Sequence, residues 1–189
     1  MDKKQIREFI MKKRSALSTG ERASHSQAIL SFLTETETFK SAQQVASFVD
    51  FRNEVYMAPI NEAILSAGKS LYLPYVNMKA KIMTFHEVKT LDDLVLSSYG
   101  ILEPDPNATP PADIQMFDLI LSPGVAFDFK GYRLGYGGGF YDRFFSALSG
   151  RPPKIGIAFS CQQLDNLPTE AHDLPLDALI TENGITYFK

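Results

Sequence analysis

The chain is short of several things, and each shortage removes a class of function. It has one cysteine, Cys161, in 189 residues, so neither an intrachain disulfide nor a cysteine zinc site is expected. Cys161 reads as a small, buried or half-buried apolar side chain. The three histidines, His25, His86 and His172, are widely separated. They have no metal-ligand spacing and offer no Ser-His-Asp or Cys-His pairing. Basic residues are not in excess: 19 Lys and Arg against 22 Asp and Glu leave no electrostatic footprint for nucleic acid. No apolar run approaches the roughly 20 residues that span a bilayer. The first residues are charged where a signal peptide would be apolar, so a cytoplasmic protein with neither membrane nor nucleic acid as partner is expected. Internal repeats and low-complexity segments are missing as well.

What is present is enough apolar sequence, 44% of residues, to bury one core, and a single domain over residues 1–189 is the expectation. Residues 2–17 carry Ile6, Phe9, Ile10 and Leu17 on one helical stripe. Lys3, Arg7 and Arg14 fall at offsets of four and eleven, near one angular position, which makes a basic edge or a plain solvated face. Ser18-Thr19-Gly20-Glu21 has capping-box spacing and starts a second helix running to about Leu33. Short apolar runs at 44–49, 70–74, 81–86, 117–121 and 154–159 read as strands, the fourth buried on both faces. Residues 55–67 and 91–96 read as helices between them, and 162–167 as a short connection or helical turn. The proline-dense stretch from Glu103 to Pro111 is an exposed connection. Asn183-Gly184 marks a closing hairpin. The alternation predicts an α/β fold with a mostly parallel or mixed central sheet and helices on both faces, in three layers.

The stretch Gly131-Tyr132-Arg133-Leu134-Gly135-Tyr136-Gly137-Gly138-Gly139-Phe140-Tyr141-Asp142-Arg143 stands apart. Its glycines suit a loop that approaches a ligand closely, and Phe140, Phe144, Ala147 and Leu148 continue it as a helix. Free amides of such a loop, added to those of a helix N-terminus, make a concave phosphate site. Arg133 can add a planar fork of donors, and Asp142 is a hard oxygen ligand suited to magnesium. A flexible turn with solvated charges is the other reading. The stretch is neither a P-loop, lacking Gly-Lys-Ser/Thr, nor a dinucleotide fingerprint, lacking the third glycine. Upstream, Glu54 lies just past the C-terminal end of the 44–49 strand, where ligands gather in open α/β sheets. It could equally be the N-terminal acid of the following helix.

The string Arg133 to Asp142 resembles the signature of the 5-formyltetrahydrofolate cyclo-ligase family. Lys3-Lys4-Gln5-Ile6-Arg7, Phe51-Arg52-Asn53-Glu54-Val55, Ile101-Leu102-Glu103-Pro104, Ser122-Pro123-Gly124-Val125-Ala126-Phe127-Asp128 and Asp173-Leu174-Pro175-Leu176-Asp177 match other segments of the family in order. The resemblance implies a fold like that of sugar-phosphate isomerases and coenzyme A transferases. It also implies an ATP- and magnesium-dependent closure of 5-formyltetrahydrofolate to 5,10-methenyltetrahydrofolate, with release of ADP and phosphate after phosphorylation of the formyl oxygen. By the same resemblance, Lys3, Arg7, Arg133, Leu134, Gly135, Tyr136, Gly137, Gly138, Gly139, Phe140 and Tyr141 bind ATP. Arg133 and Tyr141 act in catalysis, Val49, Glu54, Tyr136 and Phe140 meet the folate, and Asp142 and Asp177 hold Mg2+. A sugar-phosphate isomerase or coenzyme A transferase, or a sensor that binds these ligands without turnover, are the rival readings.

Overall fold

The computed structural model describes residues 1–170 and 173–188. His172, one of the histidines read as an ordinary loop residue, lies outside them. The first two helices form where their caps place them. α1 (Lys3–Ser15) starts with the side chain of Asp2 accepting from the Gln5 amide and the side chain of Gln5 closing the box. α2 (Thr19–Glu35) starts with the same reciprocal pair, Ser18 and Glu21. Each box satisfies two donors that a helix start leaves free. α3 (Glu37–Ser41) is a single turn capped by Thr36.

The strands follow: β1 (Gln44–Ala46), then α4 (Met57–Ser66), β2 (Ser70–Asn77), β3 (Ile82–Val88), β4 (Val95–Leu96), β5 (Leu102–Glu103), β6 (Leu119–Ser122), β7 (Ala126–Asp128) and β8 (Arg133–Leu134). The chain ends with α5 (Phe140–Ala147), β9 (Lys154–Ile157), β10 (Gln163–Leu164), β11 (Ala178–Thr181) and β12 (Gly184–Tyr187). Seven strands form one sheet in the order β12-β11-β9-β6-β1-β2-β3. The five inner strands pair in parallel, and β3 and β12 join antiparallel at the two edges. The mixed α/β sheet expected from the sequence is therefore what the residues build.

Apolar side chains alternate through this sheet and fill both faces. Val45, Leu71, Leu73, Leu119, Leu121, Ile155, Ile157, Ala178 and Ile180 meet Ile29 and Leu33 of α2 and Ile60 and Ile64 of α4 on one side. Ala46, Tyr72, Ile120 and Leu179 meet Phe144 and Phe145 of α5 on the other. Two-sided burial explains why the inner strands read as continuous apolar runs and not as alternating ones.

Three local expectations need correction. Residues 91–96 do not form a helix: Leu91–Asp93 is one 3-10 turn, and Val95–Leu96 then pairs antiparallel with β5. So short an apolar run is not enough to sustain a helix when a strand partner is close by. Residues 162–167 contribute a strand, β10, to a second sheet of order β10-β7-β8 that the sequence did not suggest. The closing hairpin forms, but its two loop residues are Glu182 and Asn183, with Gly184 already paired to Thr181.

The small sheet positions the glycine loop, and Asp128 holds it together. Its buried carboxylate accepts from the amides of Lys130 and Tyr132 through Oδ1 and of Leu167 through Oδ2. α1 packs on this sheet through Ile6 and Ile10, against Val125, Ala126, Leu134 and Leu167. Substituting Asp128→Ala leaves three amides without their acceptor. By the cost of unmet buried donors it should destabilise the fold by about 3 kcal/mol, read as a lower urea midpoint at an unchanged slope.

Candidate active site

The candidate site begins past the C-terminal end of β1. Just past β1, half-buried Val49 leads into a tight turn at Phe51–Glu54, in which Arg52 and Asn53 take left-handed backbone angles, φ 47° and 62°. α4 starts later, at Met57 with Tyr56 as its cap, so Glu54 is not a helix-terminal acid. The turn points its carboxylate inward: Glu54 is 5% exposed, and its Oε2 accepts from the Phe51 amide at 2.9 Å. Its Oε1 accepts from the Tyr136 hydroxyl at 2.7 Å. Burial raises the Glu54 carboxyl from its ordinary 4.5 to about 7, while Arg14, Tyr136 and the Phe51 amide pull the other way.

The glycine loop lies over this carboxylate. Gly137 at φ 105° and Gly139 at φ 65° use backbone that L side chains rarely adopt. A Cβ on Gly137 would stand 3.6 Å from Arg7 Nη2, so the loop and the arginine are already in close approach. Arg7 Nε–H donates to the Gly135 carbonyl at 2.7 Å. Gly139 caps α5 without any side-chain bond, which leaves the first amides of that helix unclaimed by a cap. The loop runs directly into this uncapped helix start, so its amides and those of the first turn of α5 are neighbours along the chain.

Arg133 and Asp142 form the next layer. Arg133 Nη2 donates to Asp142 Oδ1 at 2.8 Å, and the guanidinium lies 5.2 Å from the ring centroids of both Tyr141 and Phe145. Its side chain is 4% exposed, its Nε has no partner, and burial lowers its pKa against the pull of Asp142. The Tyr141 hydroxyl is also buried without a partner, and burial raises its pKa. Phe140 stacks under Arg143, 5.0 Å from ring centroid to guanidinium carbon. A cleft of about 510 Å³ opens along this side of α5, lined by Gly139, Asp142, Arg143, Ser146 and Ala147. A smaller cavity, of about 300 Å³, lies by Phe117, Asp118 and Pro153 at the other end of the strands, away from the glycine loop and Glu54 and beside Lys154, whose amide bonds Asp177.

Lys3 and Arg7 both reach this region from α1. Lys3 Nζ donates to Glu170 at 2.7 Å and stands 3.6 Å from Asp173, and the bond to Glu170 is the main reason its pKa is raised. Asp177 is placed differently. It precedes the first residue of β11 at the N-terminal edge of the sheet, where its carboxylate accepts from the Lys154 amide at 2.7 Å and faces Lys154 Nζ at 3.3 Å. Asp142 and Asp177 thus answer to different cations, and the structure does not bring them together. Among the described residues no three His, Cys, Asp or Glu side chains converge on a common point. His86 is buried between Thr84 and the Thr109 carbonyl, and Cys161 is half-buried, as ordinary packing requires. No described helix is long and apolar enough to cross a membrane.

The residues fit a nucleotide. The loop offers amides, Arg7 lies against it, and the unpartnered Nε of Arg133 is a donor in want of an acceptor. For magnesium, half-buried Asp142 beside the loop is a suitable oxygen donor, because a nucleotide-borne Mg2+ takes one or two carboxylates and completes its shell with phosphate and water. The residue that the sequence undervalued is Arg14. It shares an angular position with Lys3 and Arg7, yet it is 1% exposed and reaches Tyr136 and Glu54.

The raised Glu54 carboxyl has a measurable consequence. The unfolded chain releases this proton near 4.5 and the folded one near 7, so its contribution to stability is fully present below 4.5 and is lost as pH rises through about 7. The stability of the wild type relative to Glu54→Gln should fall by about 3 kcal/mol between pH 4.5 and 7.5, measured by urea unfolding at each pH.

Comparison with known proteins finds relatives over the length of the chain. Residues 1–182 match the 5-formyltetrahydrofolate cyclo-ligase family. The 5-formyltetrahydrofolate cyclo-ligase of Escherichia coli K12 is 31% identical, over 94% of this chain and 98% of its own, and that of Haemophilus influenzae is 31% identical, over 92% and 94%. Among solved structures, 5,10-methenyltetrahydrofolate synthetase from Aquifex aeolicus superposes with a TM-score of 0.86 at 33% identity, covering 100% of this chain and 94% of its own. The enzyme of the same name from Mycoplasma pneumoniae gives 0.78 at 28% identity, covering 96% and 99%. A family match over almost the whole length, with relatives above 30% identity and the same fold, means that the chain belongs to the 5-formyltetrahydrofolate cyclo-ligase family of enzymes.

Proposed function

We propose that this enzyme closes 5-formyltetrahydrofolate to 5,10-methenyltetrahydrofolate at the expense of ATP, with Mg2+, and that the glycine loop is shared by both substrates. One observation carries this reading. Tyr136, inside the loop that offers amides for phosphate, is hydrogen bonded at 2.7 Å to Glu54, the buried carboxylate beside β1. A phosphate cradle and an acceptor for pteridine N–H groups therefore adjoin through a single residue.

The amides of Gly135 to Gly139, with Leu134 leading in, hold the triphosphate in this reading, and Arg7 and Arg133 neutralise its charge. Lys3 joins them by exchanging Glu170 and Asp173 for phosphate. Asp142 holds the magnesium, while Asp177 stays on Lys154. Val49 and Phe140 pack against the folate, and Glu54 accepts from it. Tyr141, whose hydroxyl lacks a partner, is placed with Arg133 to orient the formyl group. The nucleotide supplies the phosphoryl group that turns a poor leaving oxygen into a good one, after which N10 closes the ring and ADP and phosphate are released. Phosphoryl transfer of this kind asks a protein for positioning and charge neutralisation and not for a covalent nucleophile. The absence of a nucleophile and base pair from the sequence accords with that demand.

Mixing protein, ATP, Mg2+ and 5-formyltetrahydrofolate should produce the absorbance of the methenyl product. No product, or product formed equally well without ATP, overturns the reading. Asp142→Asn should fold as the wild type but turn over about a hundredfold more slowly, by analogy with loss of one charge-stabilising contact in a transition state. Near-normal Mg2+-dependent turnover in the folded variant removes the metal from Asp142.

A further inference from the structure

Arg14 belongs to the last turn of α1, eleven residues beyond Lys3, and it is the largest side chain in the molecule with under 2% exposure. An arginine is rarely buried to this degree unless it is paired, because desolvating its charge costs several kcal/mol. Its Nη2 donates to the Arg52 carbonyl at 2.7 Å and to the Tyr136 hydroxyl oxygen at 2.8 Å. That hydroxyl then has its own hydrogen directed to Glu54 Oε1, at 2.7 Å. Arg14 Nη1 stands 3.7 Å from the same carboxylate oxygen, an ion-pair distance without a hydrogen bond, and Arg14 Nε and Nη1 have no hydrogen-bond partner. The guanidinium carbon lies 6.0 Å from the Tyr136 ring centroid.

The order of donors in this chain fixes direction. Because Arg14 has no acceptor atom, Tyr136 accepts from it, and the single hydrogen of the phenol is given to Glu54. Glu54 receives that hydrogen and the Phe51 amide, one on each oxygen, and both bonds hold the carboxylate plane. Arg14 also fixes the carbonyl of Arg52, in the left-handed turn that presents Glu54.

We propose that Arg14 is a positioning residue for the folate. Through Tyr136 and the Arg52 carbonyl it sets the orientation of Glu54, and it takes no part in holding the nucleotide, although it shares a helix with Lys3 and Arg7. The assignment rests on the folate role of Glu54 given above. The charged and titratable groups facing Glu54 are Arg14 from α1, Tyr136 from the glycine loop, Asp50 from the segment after β1, and more distantly Tyr141 from α5. Of these Arg14 alone favours the ionised carboxylate by charge, so its loss makes Glu54 harder to ionise.

The test uses the full-length wild type with Arg14→Leu, Arg14→Lys and Tyr136→Phe, each checked for a cooperative thermal transition. KM is measured separately for 5-formyltetrahydrofolate and for ATP. Arg14→Leu and Tyr136→Phe should each raise the folate KM about tenfold and leave the ATP KM within about twofold, since both keep every loop amide and remove no cation assigned to the triphosphate. Arg14→Lys, which keeps the charge but not the fork, should fall between wild type and Arg14→Leu. The double variant Arg14→Leu with Tyr136→Phe should be little worse than either alone, because both break one chain. In the wild type the folate KM should drop as pH rises through about 7, and in Arg14→Leu that midpoint should move up by about one pH unit. If Arg14→Leu fails to fold, Tyr136→Phe and Arg14→Lys carry the comparison. An unchanged folate KM, a parallel rise in the ATP KM, or a fall in kcat alone overturns the proposal. A wild type that neither binds nor converts the folate overturns the functional reading, and the Arg14 assignment with it.

Discussion

The buried guanidinium, phenol and carboxylate of Arg14, Tyr136 and Glu54 are the interaction on which the site depends. They join the end of α1, the turn after β1 and the glycine loop, three segments that share no secondary structure. A loop of glycines cannot order itself, since it has little side chain to pack and much backbone entropy to lose. Its order must be imposed from outside. Arg7 does this at the Gly135 carbonyl, while Arg14 fixes the Tyr136 side chain against Glu54. The cost is a charge taken out of water, offset only while its partners stay in place.

A second carboxylate, Asp128, works in the same way on a smaller scale. It collects amides from the turn before β8 and from Leu167, and so holds short strands that could not persist by pairing alone. The chain then enters the glycine loop from a fixed direction. α5 leaves it with Phe144 and Phe145 anchored in the core. The loop is thus flexible in composition but held at both ends.

The elements most legible in the sequence are those whose causes are local. Asp2 with Gln5 and Ser18 with Glu21 set the helix starts from four residues each, and the buried strands reveal themselves as short apolar runs. The glycine loop and the helix behind it were equally plain. What stayed hidden depends on distant partners. Nothing local distinguishes Leu91–Leu96 from a helical turn, because its fate depends on pairing with Leu102 and Glu103. The sheet of β10, β7 and β8 has strands of two or three residues, below the length at which periodicity can be read. For Glu54 the two readings could be separated only by where α4 begins. Asp177 is implied as a metal ligand by resemblance alone, and its bonds to Lys154 are those of a residue at the entry to a strand. Arg14 is the clearest case: the helical wheel grouped it with Lys3 and Arg7, but burial is a property of the partners, 40 and 122 positions along the chain.

α1 is the element that relates the two halves of the site. At 1.5 Å per residue, the eleven residues from Lys3 to Arg14 set those side chains about 16 Å apart along a rigid rod. One end carries the lysine that meets Glu170 and Asp173, and the other carries the arginine that meets Glu54. A reaction that joins a phosphoryl donor to a formyl oxygen gains most from a fixed separation between the groups that hold each reactant. A helix whose apolar stripe, Ile6 and Ile10, is locked onto the small sheet provides that separation, where a loop would average over many. The basic edge of α1 is for this reason not one surface with one purpose. Helical geometry aligns the three cations, and in the function proposed above depth in the fold divides them between the two substrates.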